Sequence, residues 1–141
     1  MSKSIIKDIY YEDTLVGQFY DLNYVSGVQF PTSVECEFQF GFGTVEQDKN
    51  LTSHIHKRVE RVINTTSEFL YVVDGEMTIE VYSEDEAYVE TVILNSNQAL
   101  LQHIGGHKIS LKKGTKYFEI KQGPYFGRCF DKYDIGHANE S

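Results

Sequence analysis

The sequence predicts an all-β fold, a sandwich or barrel of short strands with little helix. Three observations carry that expectation. Apolar residues recur with period two rather than 3.6. Turn signals fall about 8–12 residues apart, the spacing of strands in sandwiches and barrels. Ten Tyr and nine Phe, with no Trp, suit pleated strands better than helices.

In chain order, the expected strands are Leu15–Tyr20, Tyr24–Phe30, Ser33–Phe42, Glu68–Val73, Met77–Tyr82, Tyr88–Leu94, Ala99–His103, His107–Lys112 and Tyr117–Gln122. Ser33–Phe42 has the clearest pattern. Val34, Cys36, Phe38, Phe40 and Phe42 fall on one face, and Glu35, Glu37 and Gln39 on the other. Asp74-Gly75 lies between two apolar runs, the signature of a type I′ hairpin that needs positive φ at both central residues. Ser83–Glu86 and Lys113-Gly114 mark two further turns. Lys57–Asn64 is the nearest approach to a helical stripe and amounts to a turn or two. Pro31 and Pro124 sit at expected strand ends, where a missing N–H does least harm.

The 141 residues and 16.2 kDa fit one domain, residues 1–141, with 128–141 expected to form a tail. A chain of this mass buries roughly two-thirds of its surface, enough for a core without covalent staples. Thirteen basic and 21 acidic residues leave a net charge of -8. That balance repels phosphate backbones and anionic lipid, so neither nucleic acid nor membrane is an expected partner. No run reaches the 18 or so apolar residues of a spanning helix. The first residues mix Lys, Asp and Glu with apolar side chains, unlike a signal peptide. The expected compartment is the cytoplasm, where Cys36 and Cys129 would be free thiols.

The histidines carry the chemistry. Of five, His54 and His56 are one residue apart, so on a strand both imidazoles face the same way. Glu68 follows twelve residues after His56, and His107 follows Gly105-Gly106 on a later strand. Three imidazoles and a carboxylate on adjacent inward faces suit a divalent first-row metal with open positions for substrate. A lone His on a strand face is more often structural. His103 is read that way, and His137 as tail.

The segment from His54 to Met77, HIHKRVERVINTTSEFLYVVDGEM, resembles the first motif of the cupin family: a His-x-His pair, a Glu, and a Gly after six intervening residues. Glu68 and Gly75 keep that last spacing, whereas eleven residues separate His56 from Glu68 instead of three or four. Glu60 lies closer to His56 but has no Gly at the matching distance, so Glu68 is preferred. The second motif survives only as His107, with Gln102 and Ile104 where Pro and Gly would stand. GGH at 105–107 and EIKQGPY at 119–125 are similar to small bacterial cupins, some linked to surface-sugar biosynthesis. The resemblance implies a double-stranded β-helix, a jelly-roll barrel with a ligand site inside its mouth. It also implies a metal held by His54, His56, Glu68 and His107, either iron, manganese, nickel or zinc. Dimerisation through residues 1–30 is a further implication.

Lys121 shares a strand face with Tyr117 and Glu119. Facing inward, it would attract a carboxylate or phosphate; facing outward, it would be a solvated lysine. Tyr71 and Tyr117 are candidate pocket walls, and Lys57, Arg58 and Arg61 a candidate guide for anions. Three functions stay open. One is a metal-dependent enzyme on a small polar or anionic, sugar-related metabolite, whether isomerase, epimerase or oxygenase. Another is a metal-free sugar-nucleotide ketoisomerase or epimerase using His54 and His56 as proton shuttles. The last is a non-catalytic small-molecule binder.

Overall fold

In the computed structural model, residues 6–136 are described. β1 (Ile6–Tyr11) and β2 (Thr14–Asp21) form a hairpin. A 3-10 turn, Leu22–Tyr24, leads to β3 (Val28–Gln29), which pairs with β4 (Phe42–Gly43). The remaining strands are β5 (Glu68–Asp74), β6 (Met77–Tyr82), β7 (Tyr88–Leu94), β8 (Gln98–Gln102), β9 (Gly106–Leu111) and β10 (Lys116–Lys121). A four-residue helix, α1 (Arg128–Asp131), follows. None of the described helices is long and apolar enough to cross a membrane.

The strands form three antiparallel sheets, ordered β1-β2-β8-β5-β10, β3-β4 and β7-β6-β9. Strand alternation divides each large sheet into two faces. Leu70, Val72 and Leu100 of the five-stranded sheet join Met77, Ile79, Val81, Val92 and Leu94 of the three-stranded sheet in one buried cluster. These are the inward faces. The opposite face of the larger sheet carries Tyr20, Phe69, Ala99 and Leu101, covered by Phe38, Phe40 and Phe42. Lys7 on β1 pairs with Glu90 on β7, so the two sheets are tied along one side.

From β5 onward the expected strands stand within a residue or so of the observed ones, but two expected turns connect differently. Asp74-Gly75 closes no hairpin. β5 pairs with β8 and β10, whereas β6 pairs with β7 and β9, so the turn carries the chain from one sheet to the other. Only Gly75 has positive φ there, and a type I′ turn needs two such residues. Glu76 N–H instead donates to Thr115 Oγ1 at 3.2 Å. Lys113-Gly114 is likewise a crossing, from β9 to β10.

Ser33–Phe42 is not a strand except at Phe42. Side chains there take the bonds a neighbouring strand would have supplied. Gln39 Nε2 donates to the carbonyls of Ser33 and Cys36, each at 2.9 Å, and Phe40 N–H donates to Thr32 Oγ1 at 3.2 Å. Such local bonding competes with ladders. The apolar alternation still works: Phe38, Phe40 and Phe42 pack on the sheet, while Val34 is 94% exposed. Tyr24–Phe30 shrinks to the two residues of β3. β1 has no counterpart among the expected strands, because Ile9 is its one buried residue and a bulge follows it.

Gly105 marks a close backbone approach. Its φ is +92°, and an added Cβ would lie 2.2 Å from the Tyr82 carbonyl oxygen. Gly114, at φ +83°, has open space around it. Gly114→Ala should cost only left-handed strain, about 1–2 kcal/mol. Gly105→Ala should cost at least ~1 kcal/mol more, because backbone must also move. Urea unfolding of both variants measures the difference.

Candidate functional site

The site lies where the inward apolar rows run out. On β5 the inward residues are Glu68, Leu70 and Val72. β8 contributes Leu100 and then Gln102, directly opposite Glu68. On β9, His107 stands across from the buried Val81. One layer beyond the core, the two sheets therefore present a carboxylate, an amide and an imidazole to one another. They line a cleft of roughly 920 Å³ whose outer wall includes Asp131, Lys132 and Ile135. That volume lies within the usual range for small-molecule sites.

Gln102 fixes the imidazole. Its Nε2 donates to the carbonyls of Ile104 (3.2 Å) and Gly106 (2.8 Å). Carbonyls only accept, so the amide oxygen must face the other way, toward His107 Nδ1 at 2.7 Å. Nδ1 therefore carries the proton. Burial pushes the His107 pKa below its ordinary value, with Lys132 adding to this and Glu68 and Glu119 opposing it. The ring is neutral at pH 7, and Nε2 presents a bare lone pair.

That lone pair looks at Glu68 Oε2, 3.3 Å away. Oε2 is buried and has no hydrogen-bond partner. Two acceptors thus face each other with no proton between them, an arrangement that favours a cation or a shared proton in the gap. The donor set suits a divalent metal: one carboxylate oxygen and one imidazole nitrogen whose other N–H is held by a hydrogen bond.

Lys121, opposite Glu68 on β10, turns inward. Its Nζ donates to Asp131 Oδ2 at 3.0 Å and lies 4.5 Å from the Tyr125 ring centroid. The Asp131 bond raises its pKa, so it is a full positive charge behind Asp131, which lines the cleft, and is not itself among the lining residues. Residues 128–136, read from the sequence as tail, fold against this opening, with Gly136 N–H donating to Glu86 Oε1 at 3.0 Å. His137 lies outside the described residues.

Glu68, His107 and Lys121 are therefore brought together; His54 and His56 are not among them. Those two rings lie 5.1 Å apart, edge to face, on a stretch where every residue from Gly43 to Asn64 is exposed. Glu60 is on the same stretch. Among the described residues no group of three or more His, Cys, Asp or Glu stands close enough to hold a metal. Tyr71 is a correction: it is three residues from Glu68, hence on the opposite face, where it stacks on Phe118 with centroids 4.8 Å apart. Tyr117 faces inward beside Val72, two strand steps from Lys121, and does not line the cleft. His103 packs as a structural residue, with Nε2 3.0 Å from Gln18 Oε1.

Gln102 and Asp131 were not singled out by sequence reasoning. The parity of Leu100 and Gln102 on one strand was the available signal for the first. A four-residue helix leaves no periodic signal for the second. No family model, no curated protein and no solved structure matches the chain.

Burial also lowers the His103 pKa, against the pull of Asp8. Both histidines fold neutral, so the unfolded chain binds more protons in mild acid. Their stabilising contribution is complete above about pH 6.5 and is lost as pH falls through the lowered folded values. The urea midpoint of the metal-free protein should fall from about pH 7 to about pH 5, and fall less in His103→Gln/His107→Gln. Equal slopes for the two proteins would contradict the assignment.

Proposed function

We propose that this chain is a metal-binding cupin, a double-stranded β-helix enzyme acting on a small anionic or polar, sugar-related metabolite. The carrying observation is the buried, unpartnered Glu68 Oε2 facing the His107 Nε2 lone pair at 3.3 Å. The strand order supports the fold reading. β10-β5-β8 lies against β9-β6-β7 with the chain crossing between sheets after β5, β7, β8 and β9, the interleaving a jelly roll requires.

In this reading Glu68 and His107 would hold iron, manganese, nickel or zinc, joined by His54 and His56 once their exposed segment reaches a cleft. The metal would supply a Lewis acid that polarises a substrate carbonyl or stabilises an enolate. The protein's own groups do the rest. Gln102 keeps the His107 lone pair aimed into the cleft. Lys121 exchanges Asp131 for the carboxylate or phosphate of the substrate, which orients the bound molecule. The apolar layer of Leu70, Leu100 and Val81 beneath the site excludes water from its floor.

A second reading is favoured by the same gap. In the absence of metal, Glu68 and His107 share one proton and serve as an acid–base pair in a sugar-nucleotide isomerase or epimerase, with His54 and His56 shuttling protons only if their segment reaches the cleft. A purely binding role keeps the Lys121 contact and forms no product.

Metal analysis separates these. Protein stripped with chelator and titrated with zinc or manganese should melt higher, by the equivalent of about 2.7 kcal/mol at a hundredfold excess over Kd. Glu68→Gln and His107→Ala should each abolish the gain. Failure to take up any of the four metals would sink the metal reading. Turnover of a keto-sugar nucleotide in chelator would establish the second.

A further inference from the structure

We propose that the His54–His56 segment completes the site of a second copy of this chain, and receives that copy's segment in return. The inference rests on the metal reading for what the shared site binds, but not for the strand exchange itself.

The two sheets are tied along the β1–β7 side and open along the other. β9 pairs only with β6 and β10 only with β5, so each offers a free edge among the described residues. The core is uncovered there. Leu111 and Tyr117 both face inward, yet they are 43% and 42% exposed. On the outward face, Phe118 and Ile120 of β10 are 44% and 48% exposed. An open pair of ladders with an uncovered apolar margin is a template for added strands.

The chain carries a segment of matching chemistry that meets its own cleft only at its last residue, Asn64. From Gly43 to Asn64 every residue is exposed, including Leu51 at 74%, Ile55 at 92% and Val62 at 75%. Its side-chain hydrogen bonds are internal: His54 Nδ1 to the Thr52 carbonyl at 2.9 Å and Arg61 to the Val59 carbonyl at 3.4 Å. Both ends are fixed, Thr44 N–H to the Gly27 carbonyl at 2.9 Å and Ser67 N–H to Gln122 Oε1 at 2.7 Å. The segment thus projects from a formed body. Lys57, Arg58 and Arg61 flank the histidines on the segment, which carries four cations against Glu46, Asp48 and Glu60, and the cleft presents Glu68, Glu84, Glu86, Asp131 and Asp134 against Lys108, Arg128 and Lys132. On an added strand, His54 and His56 share one face and Leu51 and Ile55 the other. The histidines would then turn toward Glu68 and His107 while the apolar pair covers the margin. Two copies satisfy each other reciprocally, the closed symmetry of an isologous dimer.

Light scattering on the wild-type protein should give a dimer. Leu51→Asp/Ile55→Asp, altering two exposed residues, should give a monomer that still melts cooperatively. His54→Ala/His56→Ala should stay dimeric. That variant and Glu68→Gln/His107→Ala should each bind no zinc alone. Unfolded and refolded together, they form mixed dimers with one intact site each, restoring about a quarter of wild-type zinc uptake if pairing is random. A wild-type monomer, or a dimer that survives Leu51→Asp/Ile55→Asp, overturns the exchange. So does a mixture that binds no zinc while the wild type does, because each chain then completes its own site. Wild-type protein that dimerises through this segment yet takes up no zinc removes the metal reading and leaves the exchange standing.

Discussion

The packing of one inward sheet face against the other is the constraint on which the rest of this molecule depends. Leu70, Val72 and Leu100 meet Met77, Ile79, Val81 and Leu94 with essentially no exposure, each side chain contributing on the order of 1.5–3 kcal/mol by burial. Because strand side chains alternate strictly, that layer also dictates what comes next along each strand. Two residues before Leu70 is Glu68, two after Leu100 is Gln102, and across from Val81 is His107. The polar groups are at one level because the apolar ones are. A register slip of one residue in β5 would turn Glu68 outward and put Phe69 in the cleft.

Positioning alone does not make chemistry; the tautomer does. Gln102 spends both amide hydrogens on the Ile104 and Gly106 carbonyls, and these belong to the bend that Gly105 makes possible. The bend, the amide and the imidazole are therefore one unit. Its effect is to place a lone pair, rather than an N–H, opposite a buried carboxylate. An N–H there would form an ordinary ion pair and leave nothing for a ligand. Lys121 stands outside this unit, hydrogen-bonded to Asp131, with the Glu68 charge also favouring its protonated form.

Much of this was legible in the sequence, and the failures share a cause. Strands from Glu68 onward follow from alternation, and the same parity groups Lys121 with Tyr117 and Glu119, although which side that face looks to is decided only by the pairing of β10 with β5. Parity would equally have excluded Tyr71, an odd number of residues from Glu68. What alternation cannot encode is which strand lies beside which. Asp74-Gly75 has the local chemistry of a hairpin, but the partners of β5 and β6 are chosen by the long-range packing of the two sheets. Ser33–Phe42 shows the converse. Its aromatic period finds the sheet it covers, although Gln39 and Thr32 have replaced the ladder. The His54–His56 pair is recognisable as ligand chemistry in any conformation, whereas its separation from Glu68 depends on chain path.

Three features that look independent have one physical origin. Phe118 and Ile120 stand exposed on the outward side of the β10 edge, Glu68 Oε2 is buried without a partner, and a segment with two histidines is anchored at both ends and exposed between them. Each would be costly as a permanent state: uncovered apolar surface on the first count, an unsatisfied buried acceptor worth about 1–3 kcal/mol on the second, and solvated apolar side chains on the third. A strand seated along the β9 and β10 edges removes all three at once. It covers the margin, brings donors or ligands to the carboxylate, and buries Ile55. In the proposed exchange the opening beside the cleft and the exposed segment are complementary parts of one interface, and the acceptor pair at Glu68 and His107 is the point where that interface would become a site.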